Sequence, residues 1–184
     1  MGMPAFVPDD ERSERLLHYL LGEQMADGGW NCLRRRTGAT HASLHTTINV
    51  LEGLHAYAGA GGPRAASADA AAVRGRAFLL AHRMYRSHRT GAIIDPRMTR
   101  FSFPPRWHYD VLRGLDHLQA VDAGWDARCD DALDLVRERG AGGRWPLQHT
   151  WPGRVFFPLE RGGRPSRWNT LRGLRVLRWS QRRR

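Results

Sequence analysis

The feature that most limits what this chain can fold into is a four-residue phrase, Leu-x-Gly-Leu, that occurs three times. The copies follow one another at intervals of 61 and 59 residues, at 51–54, 112–115 and 171–174. Apolar residues recur at helical spacing around each copy. We therefore predict three helices, at about 43–58, 106–120 and 166–180. An internal period of this length is typical of a protein built from repeated helical units.

A second predicted helix precedes each copy of the phrase. These three helices lie at about 11–25, 68–87 and 126–139. They align with one another, since Arg15 and Tyr19 correspond to Arg74 and Phe78, 59 residues later. We interpret the chain as one domain over 1–184 with three two-helix repeats, at about 11–58, 68–120 and 126–180. Such a repeat cannot bury its apolar surface alone, so stacked neighbours complete the core.

Strand signals are almost absent from the sequence. The one candidate is Val155-Phe156-Phe157, which lies in a loop between Gly153 and Pro158. Together with the helical repeats, this pattern predicts an all-α fold.

The glycine of each phrase lies in the middle of a predicted helix, at Gly53, Gly114 and Gly173. Glycine there costs up to about 1 kcal/mol relative to alanine. A costly residue at one register in three copies indicates a shared packing requirement, and we predict close helix–helix approach. The alternative is a coincidence in a chain that has 20 glycines.

Length and composition indicate a globular protein. The chain has 184 residues, of which 41% are hydrophobic and 26% charged, which excludes a disordered or fibrous protein. No apolar run approaches the roughly 20 residues of a membrane-spanning helix. Met1–Asp10 has neither the basic nor the apolar region of a signal peptide. Two cysteines, Cys32 and Cys129, cannot make a disulfide framework, so we expect a reduced, cytoplasmic setting.

The net charge of +11 comes from the C-terminal part of the chain. Residues 1–139 have 18 arginines and 17 acidic residues, whereas 140–184 have 11 arginines and one acid, Glu160. Arginine without lysine, beside abundant alanine and glycine, is typical of a GC-rich genome. The alternative is a surface for an anionic partner: a phosphate, an acidic lipid or a nucleic acid. Zinc-finger spacing and RNP-type strands are absent, which disfavours nucleic acid.

The last predicted helix has two stripes at helical spacing. The apolar stripe is Trp168, Leu171, Leu174 and Leu177. The basic stripe is Arg172, Arg175, Arg178 and Arg182. We expect the arginines to lie on an exposed terminal face opposite the apolar residues, or against an acidic partner.

Six residues of the first repeat form a further series: Arg15, Tyr19, Leu20, Gln24, Gly28 and Trp30. The series resembles the QW motif of squalene and oxidosqualene cyclases, in which a basic residue and an aromatic–aliphatic pair precede Gln-x-x-x-Gly-x-Trp. Leu16 departs from that motif, which prefers glycine or alanine there. The second repeat keeps the first half of the motif, as Arg74, Gly75, Phe78 and Leu79. The third keeps Arg128 and Leu133 and ends at Trp145, displaced by about two residues.

The resemblance implies the α/α toroid of terpenoid cyclases and protein prenyltransferases, in which inner and outer helices alternate around a central cavity. The helices with Leu-x-Gly-Leu would be the inner ones. Three hairpins leave the ring open at both ends. The chain would then be a truncated version, a piece of a larger enzyme, or a protomer that closes by association. The resemblance assigns the glutamine and tryptophan of the motif to stability rather than to catalysis.

The function implied by the resemblance is to bind or transform an isoprenoid-like or other elongated apolar ligand in that cavity. The Asp-x-Asp-Asp motif that protonates an alkene in such cyclases is absent, and Asp130, Asp131 and Asp134 fit a solvated helix face. Asp126 and Cys129 lack the spacing of the prenyltransferase zinc ligands, so we predict no metal and no cofactor. Whether the chain is an enzyme stays open. The alternative is a non-catalytic helical-repeat module that binds a partner through its Arg-rich C-terminal region.

The candidate site lies at the predicted starts of the three inner helices. Equivalent first turns would meet at one end of the cavity, where helix N-termini favour an anionic head and aromatic rings cover an apolar tail. The predicted catalytic residues are His108 and Asp110. The predicted ligand-binding residues are His45, Trp107, Tyr109, Arg167, Trp168 and Asn169. The alternative is that these residues are helix caps and buried hydrogen-bond anchors.

Overall fold

The computed structural model of the protein describes residues 10–183, and most of these residues lie in helices. Seven α-helices are described: α1 (Glu11–Gly22), α2 (Arg34–Thr37), α3 (Leu44–Gly59), α4 (Ala65–Ala81), α5 (Val111–Ala120), α6 (Asp130–Arg139) and α7 (Arg167–Arg183). Short 3-10 turns occur at Pro96–Thr99 and Ala127–Cys129. The prediction of an all-α class is confirmed. The signal-peptide prediction concerns residues that, apart from Asp10, lie outside the described part.

The chain divides into two compact units, the first ending at Leu79 and the second beginning at Leu80. The division falls within α4, inside the second predicted repeat. The first unit contains α1, α2, α3 and most of α4, and the second contains α5, α6 and α7.

The first unit is organised around Trp30, which is 2% exposed. Its indole Nε1 donates a hydrogen bond to the Leu20 carbonyl near the end of α1, at 2.7 Å. Its backbone N–H donates to Thr47 Oγ1 in the first turn of α3, at 3.0 Å. The ring packs on Gly75 of α4, where an added Cβ would lie 2.7 Å from Trp30 Cζ3. One residue therefore contacts all three long helices of the unit, two of them with its indole ring and α3 with its backbone N–H.

Gln24 supports the same loop through its amide group. Its Nε2 donates to the carbonyls of Gly28 and Ala71, at 2.7 and 2.9 Å. Its Oε1 accepts from Arg74 Nε at 2.9 Å. The glutamine and tryptophan of the motif thus make structural contacts, as expected for residues that contribute stability.

The second unit repeats this arrangement around Trp145, which is 3% exposed. Its Nε1 donates to the Val136 carbonyl in α6 at 2.7 Å, and its backbone N–H donates to Thr170 Oγ1 in α7 at 3.1 Å. The ring packs on Gly173, where an added Cβ would lie 2.8 Å from Trp145 Cδ2. Both tryptophans therefore join the carbonyl of a preceding helix to a threonine in the first turn of the next.

Two of the recurring glycines, Gly114 and Gly173, pack against aromatic rings. A Cβ on Gly114 would collide with the Tyr109 hydroxyl and lie 2.8 Å from Met84 Cε, just as a Cβ on Gly173 would meet Trp145. A packing requirement is therefore present at these two positions. The predicted cause differs, because the close neighbours are side chains rather than a neighbouring helix backbone.

Helix α5 begins five residues later than the predicted start at 106. Arg106 has a positive φ of 52°, so the chain is not helical there. The helix begins after Asp110, whose carboxylate accepts from the Arg113 N–H at 2.8 Å. Similarly, α4 ends at Ala81 rather than at 87, because Arg83 and Met84 have positive φ values.

The one strand candidate of the sequence is not a strand. Val155-Phe156-Phe157 is irregular, and the strands are β1 (Trp145–Pro146) and β2 (Pro165–Ser166), which pair antiparallel. Strands of two residues that contain proline have no alternating pattern to detect.

The prediction for α7 is wrong for the apolar stripe and for Arg172, whereas Arg175, Arg178 and Arg182 are exposed as expected. Trp168, Leu171 and Leu174 are 43%, 49% and 50% exposed, whereas Arg172 is 9% exposed. Arg172 Nε lies 3.4 Å from Asp116 Oδ2 of α5, which supplies the opposite charge that burial of an arginine needs. The helix is therefore rotated relative to the expected orientation, with Val176 and Trp179 buried.

The two cysteines differ in environment, which predicts different reactivity. Cys129 is fully buried, and burial raises the pKa of its thiol to about 12, whereas Cys32 is exposed. We expect a thiol-specific reagent at neutral pH to modify Cys32 in the native protein and Cys129 only after denaturation. Mass spectrometry of the labelled peptides measures this, and equal rates for the two cysteines would contradict it.

Candidate functional site

Asp110 and Ser102 form a buried hydrogen-bonded pair that fixes the entry to α5. Asp110 Oδ2 accepts from the Ser102 N–H at 3.1 Å and from Ser102 Oγ at 3.0 Å. Its other oxygen caps the helix, and the residue is 1% exposed. These contacts are structural, and the catalytic role of Asp110 stays a prediction.

Two more polar side chains anchor the same segment. Arg113 Nη1 donates to the carbonyls of His108 and Arg106, at 2.7 and 3.2 Å. Asn169 is fully buried, and its Nδ2 donates to the carbonyls of Pro146 and Phe101, at 3.1 and 3.4 Å. The geometry of Asp110 and Asn169 thus agrees with the alternative that these residues are caps and anchors.

His108 belongs to an aromatic cluster. Its ring stacks on Trp107 and on Trp151, with centroids 3.6 and 3.2 Å apart. Trp151 Nε1 donates to Ser102 Oγ at 3.2 Å, which ties the cluster to the Asp110 cap. Tyr109 lies apart from it on Gly114, and burial raises the pKa of its hydroxyl well above the ordinary value.

The remaining predicted residues have different surroundings. The Arg167 N–H donates to Glu160 Oε1 at 2.8 Å, and Arg167 Nε lies 3.6 Å from the same oxygen. Trp168 stacks on Phe103 with centroids 4.9 Å apart. His45 is part of the first unit, whereas the other predicted site residues belong to the second.

A pocket of about 630 Å³ lies in the second unit between segment 103–106 and the loop 150–160. Its walls are Phe103, Pro104, Arg106, Thr150, Trp151, Pro152, Gly153, Arg154, Val155, Phe156, Phe157, Pro158, Leu159 and Glu160. None of the predicted site residues is among them. Three of the predicted residues instead contact the walls: His108 stacks on Trp151, Trp168 on Phe103, and Arg167 pairs with Glu160.

Arg106 fixes the loop that forms one wall of the pocket. Its Nη1 donates to the Pro152 carbonyl at 2.9 Å. Gly153 has a φ of +140°, and a Cβ there would lie 2.5 Å from Arg106 Nη1. The positive φ therefore favours glycine at this position, while the guanidinium is the end of a flexible side chain.

The charge of the pocket walls is positive. Arg106 and Arg154 are exposed, whereas the Glu160 side chain is only 7% exposed and is paired with Arg167. A ligand in the pocket would therefore meet two guanidinium groups and one carboxylate that already has a cationic neighbour.

Periodicity in the sequence does not indicate this loop as a site, because an irregular segment has no period. The available signal was the run of aromatic residues at Trp151, Phe156 and Phe157 among Pro152, Gly153 and Pro158. Such a run is too irregular for a strand and too apolar for an ordinary solvated loop.

A smaller pocket of about 190 Å³ lies beside Trp30 in the first unit. Glu23 and Arg35 are both in its wall and form an ion pair of 2.6 Å. The charges of this pocket are therefore already matched.

Within residues 10–183, no group of three or more His, Cys, Asp or Glu side chains is arranged to hold a metal ion. The described helices include none that is both long and apolar enough to cross a membrane. The chain has no significant match to a protein-family model, a curated protein or a solved structure.

Proposed function

We propose that the second unit binds an elongated apolar ligand with an anionic head, of the isoprenoid diphosphate type, in the pocket between 103–106 and 150–160. The observation that carries the proposal is the pairing of an aromatic wall with two arginines in one concave site. The proposal is one of binding and assigns no reaction.

The size and lining of the pocket support an apolar tail. A volume of about 630 Å³ lies within the range of small-molecule sites, which is about 300–1,000 Å³. Phe103, Trp151 and Phe157 supply flat apolar surface for a branched hydrocarbon chain. Burial of that chain would stabilise the complex by about 25 cal/mol per Å² of apolar surface.

The two arginines support an anionic head. A guanidinium binds phosphate oxygens with two parallel hydrogen bonds, and it keeps its charge at every physiological pH. Arg106 is held in place by the Pro152 carbonyl, so part of the cost of ordering its side chain is already met in the free protein.

We also propose that the helices form a partial α/α toroid, as the resemblance implies. The shared arrangement around Trp30 and Trp145 supports this, because two units with the same tryptophan contacts are what a repeat architecture requires. In this proposal His108 and Trp168 do not contact the ligand and instead stabilise the pocket walls by stacking on Trp151 and Phe103.

The alternative function, partner binding through the Arg-rich C-terminal region, has narrower support. Arg172 and Arg175 are both close to Asp116, at 3.4 and 3.7 Å, so their charges are partly matched within the chain. Arg178 and Arg182 remain exposed on the same helix.

The proposal predicts that the head group contributes strongly to affinity. We expect farnesyl diphosphate to bind at least about tenfold more tightly than farnesol, because charged hydrogen bonds contribute about 1.5–3 kcal/mol. Quenching of tryptophan fluorescence by each ligand, in vesicle-free buffer, measures both affinities, and Trp151 in the wall is the expected reporter.

The matched variants are Arg154→Gln in the pocket wall and Arg178→Gln on α7, both at exposed positions. We expect the first to remove most of the preference for the diphosphate and the second to leave it unchanged. Equal affinity for the two ligands in the wild type, or an equal effect of the two variants, would contradict the proposal.

A further inference from the structure

We propose that the loop 150–160 docks the protein on an anionic lipid surface by inserting its apolar side chains between the head groups. The docking element, named here the apolar loop patch, consists of Val155, Phe156, Phe157 and Leu159. This inference does not require the pocket to hold a ligand.

The apolar loop patch is exposed to a degree that apolar side chains avoid in water. Val155, Phe157 and Leu159 are 57%, 67% and 47% exposed, and Phe156 is fully exposed at 101%. Four large apolar residues within five positions of one loop form a contiguous apolar surface, which in a soluble domain marks a contact with a partner or a membrane.

The apolar surface continues from the loop onto α7. Phe103, in the pocket wall, stacks on Trp168, which is 43% exposed. Leu171 and Leu174 follow on the same helix and are about half exposed. The apolar surface of the second unit therefore extends beyond a single loop tip.

The charge around the apolar loop patch selects an anionic lipid surface as the partner. Exposed arginines flank it on both sides in sequence: Arg154, Arg161, Arg164 and Arg167. The one acid of residues 140–184, Glu160, is nearly buried and paired with Arg167. Apolar side chains among arginines match the chemistry of the lipid interface, where each basic residue near an anionic surface contributes to binding.

Sedimentation with vesicles tests the proposal. We expect the whole chain to bind vesicles that contain phosphatidylglycerol and to bind pure phosphatidylcholine vesicles only weakly. Phe156→Asp should lower the partition coefficient on anionic vesicles at least about tenfold, because the variant loses a phenylalanine that would insert into the lipid interface and adds a charge that anionic lipids repel. Phe156 is fully exposed, so this change leaves the fold intact.

The matched control is Val73→Asp, which adds the same charge at an exposed apolar position of α4, outside the apolar loop patch. Vesicle binding should be unaffected by it. The double variant Arg161→Gln, Arg164→Gln should weaken binding to anionic vesicles about thirtyfold and leave binding to neutral vesicles unchanged.

Three results would overturn the proposal. One is a lack of binding to anionic vesicles. Another is an equal loss with Phe156→Asp and Val73→Asp. The last is a concentration-dependent dimer that Phe156→Asp disrupts in the absence of vesicle binding, which would show that a second copy covers the apolar loop patch. Since the vesicles contain no prenyl compound, failure here leaves the ligand proposal standing, and failure of farnesyl diphosphate binding leaves this one standing.

Discussion

Replacing Trp145 with alanine is expected to lower the free energy of unfolding by about 3–5 kcal/mol. The indole is 3% exposed and packs against both Gly140 and Gly173. Its removal leaves a cavity between α6 and α7 and also removes the donor to the Val136 carbonyl. Urea denaturation followed by circular dichroism measures the change.

The matched control for this prediction is Trp107→Ala. Trp107 is 60% exposed, so the same chemical change should cost about 1 kcal/mol or less. Because Trp30 makes contacts equivalent to those of Trp145, Trp30→Ala should lower the free energy of unfolding by a similar amount to Trp145→Ala. Equal destabilisation by Trp145→Ala and Trp107→Ala would show that Trp145 does not organise the second unit.

Replacing Asp116 with alanine is expected to lower the free energy of unfolding by about 2–4 kcal/mol. The side chains of Arg172 and Asp116 are only 10% and 20% exposed, so the change leaves a nearly buried guanidinium without its carboxylate. The double variant Asp116→Ala, Arg172→Met should recover part of the loss, since it removes the unmatched charge.

The control for the ion pair is Asp134→Ala. Asp134 pairs with Arg137 at 2.8 Å on the surface of α6, where the two side chains are 60% and 44% exposed. Loss of such a pair costs about 0.5 kcal/mol or less. If Asp116→Ala costs no more than Asp134→Ala, the orientation assigned to α7 is contradicted.

The sequence predicts the presence of the long helices well and their ends less well. The leucines of α3 and α5 lie where the period places them, because periodicity reports which face of a helix is apolar. The start of α5 depends instead on the Asp110 cap and on the non-helical backbone at Arg106, which has a positive φ. Periodicity carries no information about such a residue.

The orientation of α7 shows a second limit. The sequence of α7 has an apolar stripe and a basic stripe, and the hydrophobicity of the residues favours burial of the apolar stripe. The structure buries Arg172 because Asp116 lies opposite it on α5. A choice that depends on one residue of another helix cannot be derived from the pattern of α7 alone.

Seven of the eight predicted site residues belong to the second unit, but none of the eight lines the pocket. The polar residues at helix starts, such as Asp110 and Asn169, are buried anchors. The pocket wall comes from a loop with no repeat partner and no period, and only its aromatic content distinguishes it in the sequence. The repeat period aligns the helices with one another, but it gives no information about the structure of a loop such as 150–160 that occurs in only one repeat.

Hydrogen–deuterium exchange with and without farnesyl thiodiphosphate tests whether the pocket of the second unit binds an isoprenoid diphosphate. We expect slower exchange in the presence of the ligand for the amides of 150–160 and of the adjoining segment 101–109, with the first unit unchanged. Protection confined to the first unit, or no protection at ligand concentrations that quench tryptophan fluorescence, would contradict it.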